Sequence, residues 1–181
     1  MKPVYVTGNT NKAKHFSTML GHEIEYVILE IDEIQSLDVR QIVEHKAREA
    51  YEKIKRPVIV EDTTVIFTAL GSLPGPFIKW FLEELKPLGL CKLLDGKQRT
   101  AVAGSAIAYF DGETMEIFTR EMAGTIAKEP RGAQGWGWDS IFIPEGYDKT
   151  NGEMNNEEYA CMYKSVKPFK GLADFLTTLD K

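Results

Sequence analysis

The sequence contains few residues of the kinds that build zinc sites or disulfide frameworks. It has two cysteines, Cys91 and Cys161, and three histidines among 181 residues. None of these residues forms a pair with the spacing of metal ligands, and in this pattern the cysteines are expected to be reduced thiols. Any metal that the protein uses is therefore expected to be a hard cation bound by carboxylates.

Long apolar runs and basic blocks are also missing from the sequence. No apolar run approaches the roughly 18 to 20 residues of a membrane span, and the first residues lack the apolar core of a signal peptide. These absences predict a cytoplasmic protein with no membrane partner. The net charge of −5, without a basic stripe, argues against a nucleic-acid polymer as partner. A small polyphosphate needs only a few local donors and a cation, so this partner class remains open.

The residues that are present predict a folded α/β protein. Hydrophobic residues make up 43% and charged residues 27% of the chain, which is the balance of a globular protein, and we expect one domain over residues 1–181. Helices and strands alternate early, and a hairpin with Asp111-Gly112 at its turn follows, so we expect a mixed sheet. Predicted strands cover 3–7, 25–29, 57–60, 101–110, 115–122 and 140–143, and predicted helices cover 12–20, 38–54, 77–85, a segment after Pro87 and the C-terminal segment.

The turn after the first predicted strand carries several polar side chains. Its sequence is Thr7-Gly8-Asn9-Thr10-Asn11-Lys12. Ligands of open α/β sheets bind at the carboxyl ends of strands, and the free N–H groups of a helix N-terminus attract anions. The segment is therefore a candidate phosphate site, with Lys12 as its cation. An N-capped surface helix with a solvated lysine is the alternative, and the segment does not fit the P-loop pattern GxxxxGK followed by Ser or Thr.

Acidic residues follow the third predicted strand and precede the long helix. Glu61 and Asp62 come where the apolar run 57–60 ends, and Glu33 comes shortly before the helix. If the strand continues, Glu61 and Asp62 point to opposite faces, so that one can bind a metal while the other orients water. Acids that only mark a loop are the alternative. Lys46, inside the helix, is either a solvated residue or a phosphate contact.

The segment 131–139 combines glycines with two tryptophans. Glycine allows a backbone to approach a ligand closely, and the indoles of Trp136 and Trp138, on either side of Gly137, could stack on a planar base. Asp139 could accept hydrogen bonds from a base edge or pair with a cationic side chain. The alternative is a glycine-rich loop whose tryptophans fill the core.

Five segments of the chain together resemble the inosine triphosphate pyrophosphatase (Ham1-like) family, and the resemblance covers nearly the whole chain. Each segment is similar to one motif of that family, and all of them occur in the family's order. The segments are 7–12, which is similar to Ser/Thr-x-Asn-x-x-Lys; 33–35, similar to Glu-Ile-Gln; 61–63, similar to Glu-Asp-Ser/Thr; 73–81, similar to a Pro-Gly-Pro loop that ends in Lys-Trp-Phe; and 135–139, similar to Gly-Phe-Gly-Trp-Asp.

The resemblance implies a fold, a reaction and a set of site residues. The fold is a mixed, strongly bent sheet with flanking helices, in two lobes around a nucleotide cleft, and the protein is a homodimer. The reaction is attack of water on the α-phosphorus of a nucleoside triphosphate, with release of pyrophosphate. Mg²⁺, which Mn²⁺ can replace, is the cofactor. The implied metal ligands are Glu33 and Asp62, the catalytic residues are Lys12, Glu61 and Asp62, and the substrate-binding residues are Thr7, Gly8, Asn9, Thr10, Asn11, Lys12, Lys46, Thr63, Lys79, Trp136, Gly137, Trp138 and Asp139.

One segment departs from the family pattern, and it bears on base recognition. Where the family typically has a lysine and then Ser-His-Arg to read a 6-keto base, this chain has Tyr159 and then Tyr163-Lys164-Ser165. Tyr159, Lys164 and Ser165 are therefore the expected base contacts. We expect pyrophosphohydrolase chemistry on ITP, dITP and XTP with reduced or altered base selectivity. A catalytically silent nucleotide-binding homologue and a hydrolase of other modified nucleotides are the alternatives.

Overall fold

The structure is a computed structural model that describes residues 2–179, apart from the side chains of Asn11 and Lys14. Within these residues, the regular part consists of seven strands, five α-helices and two short 3₁₀-helices, Thr68–Leu70 and Asn151–Glu153. The strands are β1 Val4–Thr7, β2 Glu25–Ile28, β3 Val58–Phe67, β4 Pro74–Gly75, β5 Thr100–Phe110, β6 Met115–Ile126 and β7 Phe142–Pro144, and the helices are α1 Thr10–Leu20, α2 Val39–Ile54, α3 Ile78–Lys92, α4 Asn156–Val166 and α5 Phe169–Leu179.

All seven strands belong to one mixed sheet. Its strand order is β2-β1-β3-β5-β6-β7, and the short β4 pairs with β3. β1 runs parallel to β2 and β3, whereas β4 is antiparallel to β3 and β7 is antiparallel to β6. The mixed α/β class that the sequence predicts is confirmed. Within residues 2–179, no helix is both long and apolar enough to cross a lipid bilayer.

The chain divides into two compact units. The first comprises the described residues of Met1–Asp62, Ser105–Arg120 and Lys167–Lys181, and the second comprises Thr63–Gly104 and Glu121–Val166. The chain passes between the units four times: inside β3 after Asp62, inside β5 after Gly104, inside β6 after Arg120, and after α4.

In the first unit, alternate residues of the strands face opposite sides of the sheet. Val4 and Val6 of β1, and Val58 and Val60 of β3, belong to a buried cluster with apolar residues of α2. Tyr5 stacks instead on Phe16 of α1, with ring centroids 3.8 Å apart. Side chains at successive positions of these strands therefore meet different helices.

The helix signals in the sequence have structural counterparts. Asp38 is the N-cap of α2, and its side chain accepts a hydrogen bond from the Arg40 N–H. Ser36 adds a second contact at this helix start: its hydroxyl donates to the Gln41 side-chain oxygen and accepts from the Asp38 N–H. α3 breaks at Lys86 (φ 58°, ψ 170°), just before Pro87. This break confirms the two predicted helices.

The structure differs from the sequence predictions of local structure at three places: one strand is longer, one hairpin has a four-residue loop, and one helix was not predicted. β3 does not end at Val60 but continues to Phe67, because the residues after the two acids are again β-branched or aromatic, and Val65 and Ile66 pair with β4. The hairpin between β5 and β6 has a four-residue loop, 111–114, in which the Asp111 carboxylate accepts from the N–H groups of Glu113 and Thr114. α4 was not predicted.

Candidate active site

The candidate phosphate turn joins β1 to α1 in the first unit. The Thr7 hydroxyl oxygen accepts from the Asn9 N–H (3.1 Å), and the Asn9 side-chain oxygen accepts from the Lys12 N–H (3.2 Å). Asn9 thereby caps α1 and satisfies one N–H group of its first turn. Gly8, Asn9 and Thr10 are exposed. The side chain of Asn11, also predicted to bind phosphate, lies outside the described part of the chain.

Glu61 lies in the interior of the first unit and contacts three side chains. Its Oε1 forms salt bridges with Lys167 and, at 3.4 Å, with Lys12. Its Oε2 accepts a hydrogen bond from the Tyr5 hydroxyl at 3.2 Å. The Glu61 side chain is only 1% exposed, whereas that of Lys12 is 15% exposed. Glu61 therefore carries a buried charge whose partners come from β1, α1 and the start of the C-terminal segment.

The two lysines determine the protonation of Glu61. Burial alone would raise the pKa of Glu61, but attraction to Lys12 and Lys167 outweighs burial and lowers the pKa to about 2. Burial lowers the pKa of Lys167, repulsion from Lys12 adds to this, and attraction to Glu61 opposes it. A carboxylate so stabilised in its ionised form is a weak proton acceptor.

Asp62, on the other face of β3, shares a lysine with Glu33. The Lys46 ammonium donates to Glu33 Oε1 at 2.8 Å, to Asp62 Oδ1 at 3.3 Å and to the Glu61 carbonyl at 3.3 Å. The prediction that Glu61 and Asp62 point to opposite faces is thereby confirmed: Glu61 meets α1 and Asp62 meets α2. Lys46 is mostly buried in a carboxylate pair, so it is not a solvated surface residue.

Burial and neighbouring charges have different effects on the pKa values of Asp62 and Lys46. Burial raises the pKa of Asp62, Lys46 and Lys12 oppose the rise, and Glu33 adds to it. Burial disfavours the charge of Lys46, but attraction to Asp62 and Glu33 prevails and raises the pKa of Lys46. Asp62 therefore holds a proton more readily than Glu61 does, and it is the better candidate for a proton acceptor.

Glu33 and Asp62, the predicted metal ligands, converge on one cation, the Lys46 ammonium. Within residues 2–179, no group of three or more His, Cys, Asp and Glu side chains could bind a metal ion. Mg²⁺ is commonly bound by one or two carboxylates together with substrate phosphates and water. The two carboxylates fit that mode of binding, in which substrate phosphates and water supply the remaining ligands.

In the second unit, Asp139 holds the glycine-rich loop together. Its Oδ2 accepts from the Trp136 N–H and from the Tyr159 hydroxyl, both at 2.8 Å, and its Oδ1 accepts from the Asn151 amide at 3.0 Å. A Cβ at Gly135, whose φ is +76°, would lie 2.2 Å from Asp139 Oδ2. The carboxylate is thus occupied by donors of its own chain.

The two tryptophans of the loop have different ring partners. Trp136 lies near Tyr163 and Tyr159, with ring centroids 5.7 and 6.3 Å away. Trp138 packs edge-on against the core residue Phe142 at 5.4 Å. The structure therefore brings Trp136 together with two tyrosines of α4, and it places the half-buried Trp138 against Phe142.

Four further predicted contacts also lie in the second unit. Thr63 is the first residue of this unit within β3. Lys79 is exposed, with its ammonium 5.2 Å from the centroid of the Trp80 ring. On α4, Lys164 is exposed, and the Ser165 hydroxyl donates to the Met162 carbonyl at 2.7 Å.

Sequence reasoning missed three residues of these clusters, Tyr5, Lys167 and Asn151. Lys167 had a weak signal, since it is a lone cation in the apolar run Val166-Lys167-Pro168-Phe169. Tyr5 lies in a strand that reads as uniformly apolar, and Asn151 lies in a polar loop. Only the fold places these residues beside Glu61 and Asp139.

Comparison with known proteins identifies relatives over most of the chain. The model of the Ham1 family matches residues 3–175. Inosine triphosphate pyrophosphatases 2 and 1 of Trypanosoma cruzi are 45% and 44% identical to this chain over 162 residues, which cover 87% of this chain and 83% of each relative.

Solved structures share the fold. A HAM1 protein from Coxiella burnetii superposes with a TM-score of 0.84 at 23% identity, and the match covers 98% of this chain and 100% of that one. A dITP/XTP pyrophosphatase from Mycobacterium abscessus gives a TM-score of 0.76 at 24% identity, with coverage of 97% and 99%. The resemblance inferred from the sequence motifs is confirmed, and the chain belongs to the Ham1 family.

Proposed function

We propose that this protein is a Mg²⁺-dependent nucleoside triphosphate pyrophosphohydrolase that acts on ITP, dITP and XTP. The observation that carries the proposal is the arrangement around β3, where neighbouring carboxylates each meet a lysine of a different helix. Glu61 pairs with Lys12 of the phosphate turn, and Asp62 pairs with Lys46. The names of the Trypanosoma cruzi relatives support the choice of substrate.

The phosphate end of the substrate is proposed to bind at the turn between β1 and α1. A triphosphate carries about four negative charges, so a nucleophile can approach only when cations offset them. The exposed turn offers the N–H groups of the first helical turn, and Lys12 adds a positive charge. Lys46 stands next to both proposed metal ligands and is proposed to contact the phosphates when they are bound.

Glu33 and Asp62 are the proposed ligands of Mg²⁺. A bound divalent cation would neutralise phosphate charge and polarise the bond that is cleaved. Lys46, which now bridges the two carboxylates, would then be free to donate to a phosphate oxygen. Asp62 is also the proposed proton acceptor for the attacking water, because Glu61 is fully engaged with Tyr5, Lys12 and Lys167.

For the base, we propose contacts with Trp136, Tyr159 and Tyr163. Aromatic faces accept every base by stacking, and the Tyr159 hydroxyl already donates to Asp139. A site that reads the base by stacking leaves few buried donors unpaired when the wrong base binds, and so discriminates weakly. Selectivity between ITP and ATP is therefore expected to be low.

Homodimer formation, implied by the family, stays a prediction.

A panel of nucleotides tests the proposed reaction. Purified protein with Mg²⁺ is given ITP, XTP, dITP, GTP, ATP and modified pyrimidine triphosphates, and products are separated by chromatography. We expect monophosphate and pyrophosphate, no diphosphate, and no turnover in excess EDTA. A ratio of kcat/KM for ITP over ATP below about a thousandfold is expected, and a larger ratio contradicts stacking-based selection. Binding without pyrophosphate release would instead establish a silent nucleotide-binding homologue.

A further inference from the structure

Lys167 is a buried lysine that was not predicted from the sequence. It follows α4 and precedes Pro168 and α5, and its side chain is only 4% exposed. A buried ammonium is costly unless it is paired, and Lys167 pairs with Glu61, a residue 106 positions away in the sequence. The fold therefore brings the C-terminal segment back to the strand that carries the candidate catalytic acids.

In the cluster of Glu61, Lys12 and Lys167, the charges do not cancel. Glu61 Oε1 contacts the ammonium groups of both lysines, so two positive charges meet one negative charge within these three residues, and the neighbouring Asp62 carboxylate, which is outside the cluster, also attracts both lysines. Glu61 and Lys167 are 1% and 4% exposed, whereas Lys12 is 15% exposed. The surplus charge is therefore most accessible at Lys12, which belongs to the proposed phosphate turn.

We propose that Lys167 is a positioning residue that neutralises Glu61 and thereby leaves the positive charge of Lys12 available to the substrate phosphates. The inference rests on the proposed function, because it requires a polyphosphate at the turn. Without Lys167, Glu61 would pair with Lys12 alone, and the net charge of the cluster would be zero. With Lys167 present, Glu61 orients Lys12 without cancelling its charge, and the Tyr5 hydroxyl also holds Glu61 in place.

The test varies the net charge of the cluster in single steps. Lys167→Met makes it zero, Glu61→Gln makes it +2, and the double variant restores +1. Binding of the non-hydrolysable α,β-imido analogue of ITP is measured by calorimetry with Mg²⁺, so that no catalytic step is involved. Lys167→Arg keeps the charge, and Lys170→Met, on an exposed lysine of α5, controls for the total charge of the protein.

Affinity is expected to follow the cluster charge. Lys167→Met should weaken binding about tenfold, or ~1.4 kcal/mol, Glu61→Gln should strengthen it, and the double variant and Lys167→Arg should stay within about threefold of the wild type, or ~0.7 kcal/mol. A purely structural role for Lys167 predicts no gain in Glu61→Gln. If Lys167→Met does not fold, tighter binding by Glu61→Gln than by the double variant decides the question.

Two outcomes overturn the inference in distinguishable ways. Equal affinities of wild type, Lys167→Met and Glu61→Gln would show that Lys167 does not act on phosphate binding, and the proposed function would stand. No binding of the analogue by the wild type would overturn the proposed function itself, and the inference with it.

Discussion

Replacement of Asp139 separates a role in the fold from a role in reading the base. In Asp139→Ala, the Trp136 N–H, the Tyr159 hydroxyl and the Asn151 amide all lose their acceptor. In Asp139→Asn, the new carbonyl can still accept from Trp136 and Tyr159. Its NH₂ group would meet Asn151, whose own Oδ1 is buried without a hydrogen-bond partner within residues 2–179. A flip of the Asn151 amide would turn that oxygen into an acceptor for the new NH₂ group.

These contacts determine the size of the expected effects. A donor left buried without an acceptor costs about 1–3 kcal/mol. Three such donors share one site, so their costs are not additive, and Asp139→Ala is expected to lower the free energy of unfolding by roughly 3–5 kcal/mol. Asp139→Asn, which keeps most of the bonds but loses the charge, and Tyr159→Phe, which removes one of them, are each expected to cost about 1–2 kcal/mol.

Urea and thermal unfolding measure these changes, and nucleotide assays on the same samples measure base selectivity. Each kcal/mol corresponds to a Tm shift of about 2–4 °C in a chain of this size. Asp148→Asn, on an exposed carboxylate of the same unit, should stay within about 0.5 kcal/mol of the wild type. Because the Asp139 carboxylate is already occupied, Asp139→Asn should leave the ITP-to-ATP ratio of kcat/KM within about threefold. Wild-type stability together with a large change of this ratio would refute the reasoning and assign Asp139 to the base.

Two further variants test the acid and the aromatic contact. Asp62→Asn should lower kcat by about 10²–10⁴-fold, while thermal unfolding shows that the variant is folded. The control Asp174→Asn, on an exposed carboxylate of α5, should match the wild type. Near-normal turnover of Asp62→Asn would exclude Asp62 as the proton acceptor. Trp136→Ala should raise KM for ITP, GTP and ATP alike, by roughly ten- to a hundredfold, since stacking is worth about 1–3 kcal/mol per base. A rise confined to one base would contradict recognition by stacking.

The sequence allows local features of this protein to be predicted better than distant pairings. The helix predicted over 38–54 matches α2, and Pro87 correctly separates the two halves of α3. Strand alternation predicted correctly that Glu61 and Asp62 face opposite sides. The predicted third strand is too short because two acids interrupt the apolar run of β3, and such an interruption usually marks the end of a strand. The fold overrides it by giving each acid a lysine partner.

The undetected contacts have a different cause. α4 begins with polar residues and has tyrosines where aliphatic residues are usual, so its buried face, which includes Tyr159 and Tyr163, is hard to recognise in the sequence. Lys167 and Glu61 are separated by 106 positions, and no periodicity within one element connects them. Contacts of this kind depend on how the strands are ordered in the sheet, which local patterns do not determine.

Because Glu61 and Asp62 point to opposite faces, the candidate site is sensitive to the number of residues in β3 that precede them. If one residue is inserted into or deleted from β3 upstream of Glu61, the two acids exchange faces of the sheet. Asp62 would then point toward Tyr5, Lys12 and Lys167, and Glu61 would point toward Lys46. Length changes in surface turns have no such effect. Insertions and deletions between Val58 and Glu61 should therefore be far less compatible with activity than those in the loop 111–114.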